Sequence, residues 1–282
     1  MTKQNNIKAP IIFLGFGRCG GSIISEIIFQ HHKLAWVSNY QQKFPTSKQI
    51  NRLRNLFDNS LWRVSGQKEQ LNKTPLLNKW IFKSAESYSF WDYITDRDFA
   101  GDFLYEIEEN IERRKSIRLI FADMVKYQNR KRLAFKLTGP ARLGYLRSIF
   151  PDAKFVYVKR EPLPNIRSLL KVGFYQDWKD KLSWSGPYLE KEQKAVAQWA
   201  GNNPERIAAL QYYKVNEIYN LEKAGIESQI MEIAYENFIK DPHKEIKRIL
   251  DFVDLDQDDR IMNYLKHNKI YNRKILLFFY NG

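Results

Sequence analysis

Cysteine occurs once in the 282 residues, at Cys19. A single thiol excludes an intramolecular disulfide framework and a cysteine-rich zinc site. Histidine occurs four times, and the adjacent pair His31 and His32 offers no metal-ligand spacing with the others, so no metal is expected. No apolar run approaches the ~20 residues that a membrane-spanning helix needs, so no transmembrane segment is expected. Met1 to Pro10 is polar and lacks the apolar stretch of a secretory signal, so a cytoplasmic location is expected. Acidic residues are in deficit, 32 against 46 Lys and Arg, which leaves a formal charge of +14. That excess favours a polyanionic ligand. The positive charges are spread along the chain rather than gathered in a block, and nucleic acid is not an expected partner.

What is present is ample core material, 44% hydrophobic and 15% aromatic, in a length that suits one large α/β domain. Ile11-Ile12-Phe13-Leu14 is a continuous apolar run ending in Gly15-Phe16-Gly17, as expected of a strand buried on both faces of a parallel sheet. Ile23, Ile24, Ile27 and Ile28 then follow at helical spacing over 22–30. A second unit repeats the logic. A helix over 142–149 leads through the turn Pro151-Asp152-Ala153 to a strand over 154–158, and Arg160-Glu161-Pro162 breaks it before a helix over 165–172. Further strands are predicted at 133–137 and 229–234, and helices at 102–128, at 190–223 with an interruption at 202–204, and from Pro242 onward. The whole chain, 1–282, reads as a single domain, with 41–130 and 174–225 as lid or acceptor-side insertions.

Two places are suited to anions. In Gly15-Phe16-Gly17-Arg18-Cys19-Gly20-Gly21-Ser22, glycines allow a tight turn that aims several N–H groups at one point. The helix that follows adds its positive end, Arg18 a forked cation, and Ser22 a hydroxyl. No Lys follows the second glycine pair, so the pattern is not that of the nucleotide triphosphatases. The second place is Arg160, at a strand end, with Ser168 about two turns into the next helix.

These segments resemble the sulfotransferases. Phe13-Leu14-Gly15-Phe16-Gly17-Arg18-Cys19-Gly20-Gly21-Ser22 is similar to the family's 5′-phosphosulfate loop. Phe150-Pro151-Asp152-Ala153-Lys154-Phe155-Val156-Tyr157-Val158-Lys159-Arg160-Glu161-Pro162, followed by Ser168, is similar to its 3′-phosphate motif. Phe135-Lys136-Leu137-Thr138 resembles its lysine strand, and Tyr235-Glu236-Asn237-Phe238-Ile239-Lys240-Asp241-Pro242 a further shared segment. The likeness is strongest to bacterial-type members. It implies a P-loop NTPase-like three-layer α/β fold with a central parallel sheet and helical lid segments. It implies 3′-phosphoadenosine 5′-phosphosulfate (PAPS) as donor, with adenosine 3′,5′-bisphosphate as product. Arg18, Cys19, Gly20, Gly21 and Ser22 would hold the donor's 5′ end, and Arg160 and Ser168 its 3′-phosphate. Cys19 stands where many members have Ser, and Gly21 where many have Thr. Thr138 stands where the cytosolic branch has its catalytic His.

Sulfuryl transfer should resemble phosphoryl transfer, in line and with charge developing on the bridging oxygen. Lys136 and Arg18 are the expected cations for that oxygen, with no metal required. The acceptor hydroxyl needs a base. Glu86, flanked by aromatics that would raise its pKa, is the first candidate, and His31 and His32 are the second. Acceptor recognition falls to 36–44, 86–91, Arg142 and the aromatic stretch 174–188, and aromatic walls suit a glycan, a lipid or another small hydroxyl compound. Two alternatives differ in class. One is a non-catalytic binder of adenosine 3′,5′-bisphosphate or another polyanion, and the other is a kinase-like P-loop phosphotransferase.

Overall fold

The computed structural model describes residues 7–57, 82–172 and 203–267, together with 192, 195 and 198–201. Five parallel strands form its centre: β1 (Ile11–Leu14), β2 (Leu34–Trp36), β3 (Arg132–Lys136), β4 (Lys154–Lys159) and β5 (Ile230–Ala234). Their order is β2-β3-β1-β4-β5. The predicted apolar runs are the strands, because a parallel strand covered on both faces has no place for polar side chains. β2 went unread, since three residues are too few to carry a periodicity.

The pleat sends alternate residues to two cores. Ile12, Leu14, Phe135 and Tyr157 pack on one face with α3 (Tyr88–Thr95), α4 (Ile111–Tyr127) and α5 (Leu143–Ile149). Ile11, Phe13, Val156 and Ile233 face the other way, toward α1 (Gly21–Ile28), α9 (Pro242–Phe252) and α10 (Asp259–His267). A third cluster joins Phe16 to α6 (Pro162–Leu169) and α7 (Pro204–Glu222). The remaining helices are α2 (Lys48–Phe57) and α8 (Tyr235–Lys240). Among the described residues, no helix is long and apolar enough to cross a membrane.

Two helix starts need correction. The helix predicted from 102 begins at Ile111, because Asn110 caps it by accepting from the N–H of Arg113. Residues before it include Leu104 and Glu106 at positive φ, which a helix excludes. α6 starts at Pro162, where proline fits a first turn, rather than at 165. Within the 41–130 stretch, Phe90, Trp91 and Phe121 are fully buried under the sheet. α7 begins at Pro204, within the interruption expected at 202–204, with Asn203 accepting from the N–H groups of Glu205 and Arg206.

Register decides what meets at the carboxyl edge of the sheet. Phe13 pairs with Lys136, Leu14 with Tyr157, and Lys159 with Ala234. Lys136, the turn after β1, Arg160 and Tyr235 therefore stand in one row. In an open α/β sheet, ligands bind outside the carboxyl ends where the strand order reverses, here beside β1.

Candidate functional site

The turn after β1 is shaped for close approach. Gly20 has φ +98°, and a Cβ there would stand 2.2 Å from Cδ2 of Tyr235. Only glycine lets the ring of Tyr235 lie against the main chain. Arg18 also sits at positive φ, +67°. α1 begins at Gly21 with no side-chain cap, so its first N–H groups and its positive end are open to an anion. Ser22 is exposed there. Cys19 is buried, and burial pushes its thiol up to about 11. It packs inside the turn and is no nucleophile at neutral pH.

Arg160 and Ser168 come to the same turn. Arg160 Nη1 donates to the carbonyl of Arg18 at 3.0 Å, and Arg18 Nε lies 3.4 Å from Ser168 Oγ. The amide nitrogen of the buried Asn165 donates to the carbonyls of Gly17, at 2.9 Å, and Arg18, at 3.0 Å. The Arg160 guanidinium lies 5.0 Å from the ring centre of Tyr235, and its Nε is buried with no partner among the described residues. Tyr212 on α7 fixes this corner, donating to the carbonyl of Arg160 at 2.8 Å and packing edge-on against Phe16. A buried forked donor with an unused N–H, beside an uncapped helix start, fits a doubly phosphorylated ligand.

On the other side of the turn, Lys136 Nζ donates to Ser22 Oγ at 2.7 Å and pairs with Glu86 Oε1 at 2.6 Å. Glu86 also accepts from Thr138 Oγ1 at 2.5 Å. Tyr88 braces this strand end, donating to the carbonyl of Thr138 at 2.6 Å and accepting from its N–H at 2.9 Å. Residues 82–86 reach the site because they run beside 37–39: Ala85 N–H donates to Val37, and Ser38 bridges Ser84. The pKa shift of Glu86 is opposite to that expected. Burial works to raise it, but the Lys136 cation and the hydrogen bonds of Lys136, Thr138 and Tyr88 outweigh burial and hold it below the usual carboxylate range.

Other candidates lie elsewhere. His31 and His32 follow the far end of α1, away from the turn. The N–H of Lys33 donates to His31 Nδ1 at 3.1 Å, and His32 Nδ1 contacts Asp258 at 2.5 Å. They tie α1 to the start of α10 and are not placed to act as a base. Arg142 is fully buried and donates to the carbonyls of Phe99, Pro140 and Asp102, so it is an internal strut rather than an acceptor contact. Phe90 and Trp91 belong to the core. The aromatic stretch 174–188 lies outside the described residues.

The sequence reading passed over Tyr212, Asn165 and Glu26. Glu26 sits one turn after Ser22 on α1, and burial pushes its carboxyl up to about 7 against the pull of Lys136 and Lys83. Its spacing from Ser22 was visible, but nothing in the sequence placed Lys136 beside it.

A model of the sulfotransferase family matches residues 10–259. Among solved structures, sulfotransferase STF9 from Mycobacterium avium is similar at 17% identity and a TM-score of 0.58, over 94% of this chain and 69% of that one. The sulfotransferase domain from the curacin biosynthetic pathway is similar at 16% identity and a TM-score of 0.51, over 94% of this chain and 80% of that one. At these identities the likeness speaks for the fold. No curated protein matches the sequence. The family match sets aside the kinase-like and non-catalytic alternatives. It runs through all five strands and every residue just placed around the turn, and the chain therefore belongs to the sulfotransferase family, as a PAPS-dependent sulfotransferase.

Proposed function

We propose that the chain sulfates a hydroxyl group on a glycan, lipid or other small acceptor, with the reacting atoms at the junction of Ser22, Lys136 and Glu86. The observation that carries this reading is Lys136 Nζ, held between Ser22 Oγ at 2.7 Å and Glu86 Oε1 at 2.6 Å. A fixed cation, a neutral donor at a helix start and a carboxylate meet at one point. In-line transfer needs just these: positive charge for the leaving oxygen and a proton acceptor on the attacking side.

Arg18, the N–H groups of residues 19–22 and Ser22 would hold the donor's 5′ end, with Arg160 and Ser168 on its 3′-phosphate. The orphaned Nε of Arg160 supports that placement. PAPS would supply the activated sulfuryl group. Lys136 and Arg18 stabilise the charge that develops as it leaves. Glu86 takes the proton of the acceptor hydroxyl, and its ion pair with Lys136 keeps it charged for that task. The scheme calls for no metal, and full activity in EDTA is the expected result.

The test is a structure with adenosine 3′,5′-bisphosphate, together with a sulfate-transfer screen across hydroxyl acceptors of the three classes. The bisphosphate should bridge Arg160 and the Arg18 turn, with Glu86 facing the open side. A nucleotide bound elsewhere, or an acceptor sulfated at full rate by an E86Q variant, would overturn these roles.

A further inference from the structure

Lys136 has two carboxylates within its field, and the sulfuryl-transfer reading uses only one. Glu86 is committed, paired directly with Lys136 and bonded to Thr138. Glu26 is different. It lies four residues after Ser22 on the eight-residue α1, on the strip with Ser22, Ile23 and Gln30 that is not buried. Residues four apart on a helix share a face. Ser22 receives Lys136 Nζ, so Glu26 lies directly along the helix from that ammonium. The carboxyl is half-buried, and among the described residues no hydrogen bond or ion pair reaches it. A half-buried carboxyl along one helix face from the Lys136 ammonium is placed to change how strongly that cation holds an anion.

We propose that Glu26 is a positioning residue of the transfer site: its carboxylate competes with the incoming anionic donor for the ammonium of Lys136, and its charge sets donor affinity. The inference rests on the donor assignment above. The groups that act on Glu26 are Lys136 at the end of β3 and Lys83 in the 82–86 segment, with Glu86 on the far side of Lys136. Its neighbours along α1, Ser22, Ser25 and Gln30, are neutral. α9 and α10 meet the opposite, apolar face of α1 at Ile24, Ile27 and Ile28. Burial first, opposed by the two lysines, brings its titration to about 7. As pH rises through that value, the site loses one unit of positive charge just where a polyanion must dock, and donor binding weakens. Below it, Glu26 is neutral and no longer draws on the ammonium of Lys136.

The experiment measures adenosine 3′,5′-bisphosphate binding by calorimetry near pH 6 and near pH 8 for wild type, E26Q and E26D. The ligand's own titration is common to all three, so the informative quantity is the difference between them. Wild type should lose about three- to tenfold in affinity relative to E26Q across that range. E26D should keep the wild-type dependence, and E26Q should resemble wild type at low pH. A parallel pH dependence in wild type and E26Q would overturn the proposal.

A second readout needs no ligand. The Glu26 carboxyl, followed by carbon NMR, should titrate near neutrality in wild type and at higher pH in K136M, where a stabilising cation is gone. An unmoved midpoint would sink the Glu26 proposal alone. Failure of wild type to bind the bisphosphate at either pH, with the midpoint still moving, would instead sink the donor assignment and with it the claim about affinity.

Discussion

Arg160 donates from Nη1 to the main-chain carbonyl of Arg18 at 3.0 Å, a contact across 142 positions of sequence. One guanidinium thus shapes the turn after β1 and keeps a second N–H in reserve. Replacing Arg160 by Ala should remove both roles, with bisphosphate affinity falling about 10- to 100-fold, as for loss of a charge-assisted hydrogen-bonded contact. R160K restores charge but not the fork, and should recover only part of it. Calorimetric titration checks both. Unchanged affinity in R160A would remove Arg160 from the donor site.

Lys136 should divide differently between binding and turnover. A cation that meets charge arising only in the transition state contributes to kcat more than to ground-state affinity. K136A is expected to lower kcat by about 100- to 1000-fold. The donor KM should rise by less, about three- to tenfold, the share of donor binding that the Lys136 charge supplies in the ground state. Steady-state kinetics with saturating acceptor make the distinction. A variant with a raised donor KM and intact kcat would place Lys136 in ground-state binding instead.

These two residues also mark how far the sequence could be read. The β1 run, the glycine turn and Arg160 at a strand end are local patterns, and all three stand as expected. Both cores follow from the alternation Ile11, Phe13 against Ile12, Leu14. Glu86 was legible as an acid near aromatics, but its ion pair was not. That pair depends on the Ser38–Ser84 bridge, which brings 82–86 beside β2, and a non-local pairing between polar residues has no sequence signature. Its environment was therefore misjudged: the neighbouring Phe90 and Trp91 point into the core, while the carboxylate faces Lys136. Arg142 misled for the opposite reason. A charged residue beside a turn reads as a surface group, and only tertiary packing surrounds it with three carbonyls.

Arg142 therefore predicts a stability effect without an effect on acceptor choice. R142M would leave the carbonyls of Phe99, Pro140 and Asp102 without their donor inside the protein. The expected loss is about 3 to 5 kcal/mol, the range for stripping a buried charged partner from its acceptors. Urea unfolding measures it. Relative rates among acceptors should be unchanged in the folded fraction, and an altered preference would return Arg142 to the acceptor side.

Gly20 tests the packing of the turn. In G20A the new methyl group meets the Tyr235 ring at 2.2 Å, at a φ of +98° that L-residues avoid. Destabilisation of about 2 to 4 kcal/mol is expected, from backbone strain and overpacking together. Adding Y235A should recover the overpacking share and leave the strain. Chemical denaturation of the single and double variants separates the two. Full recovery in the double variant would mean that the backbone conformation costs nothing there.

Thr138 governs the protonation of Glu86. Burial alone would lift the Glu86 pKa, but Lys136, Thr138 and Tyr88 bring it below the ordinary value. A carboxylate depressed in the folded state adds stability at all pH above its unfolded pKa. That stability is lost as pH falls through the folded pKa. T138V removes one of the bonds to the carboxylate, so the folded pKa moves up and the acid loss of stability should set in at higher pH. Activity should follow, because Glu86 serves as proton acceptor only when ionised. The acid limb of kcat/KM should move upward in T138V, in the same direction as the stability curve. Turnover at neutral pH should hold within about threefold, since a less depressed carboxylate is the stronger base. Tm and kcat/KM, followed from neutrality downward in wild type and T138V, check both expectations. An acid limb that stays in place while the stability curve shifts would mean that the proton leaves the acceptor by another route than Glu86.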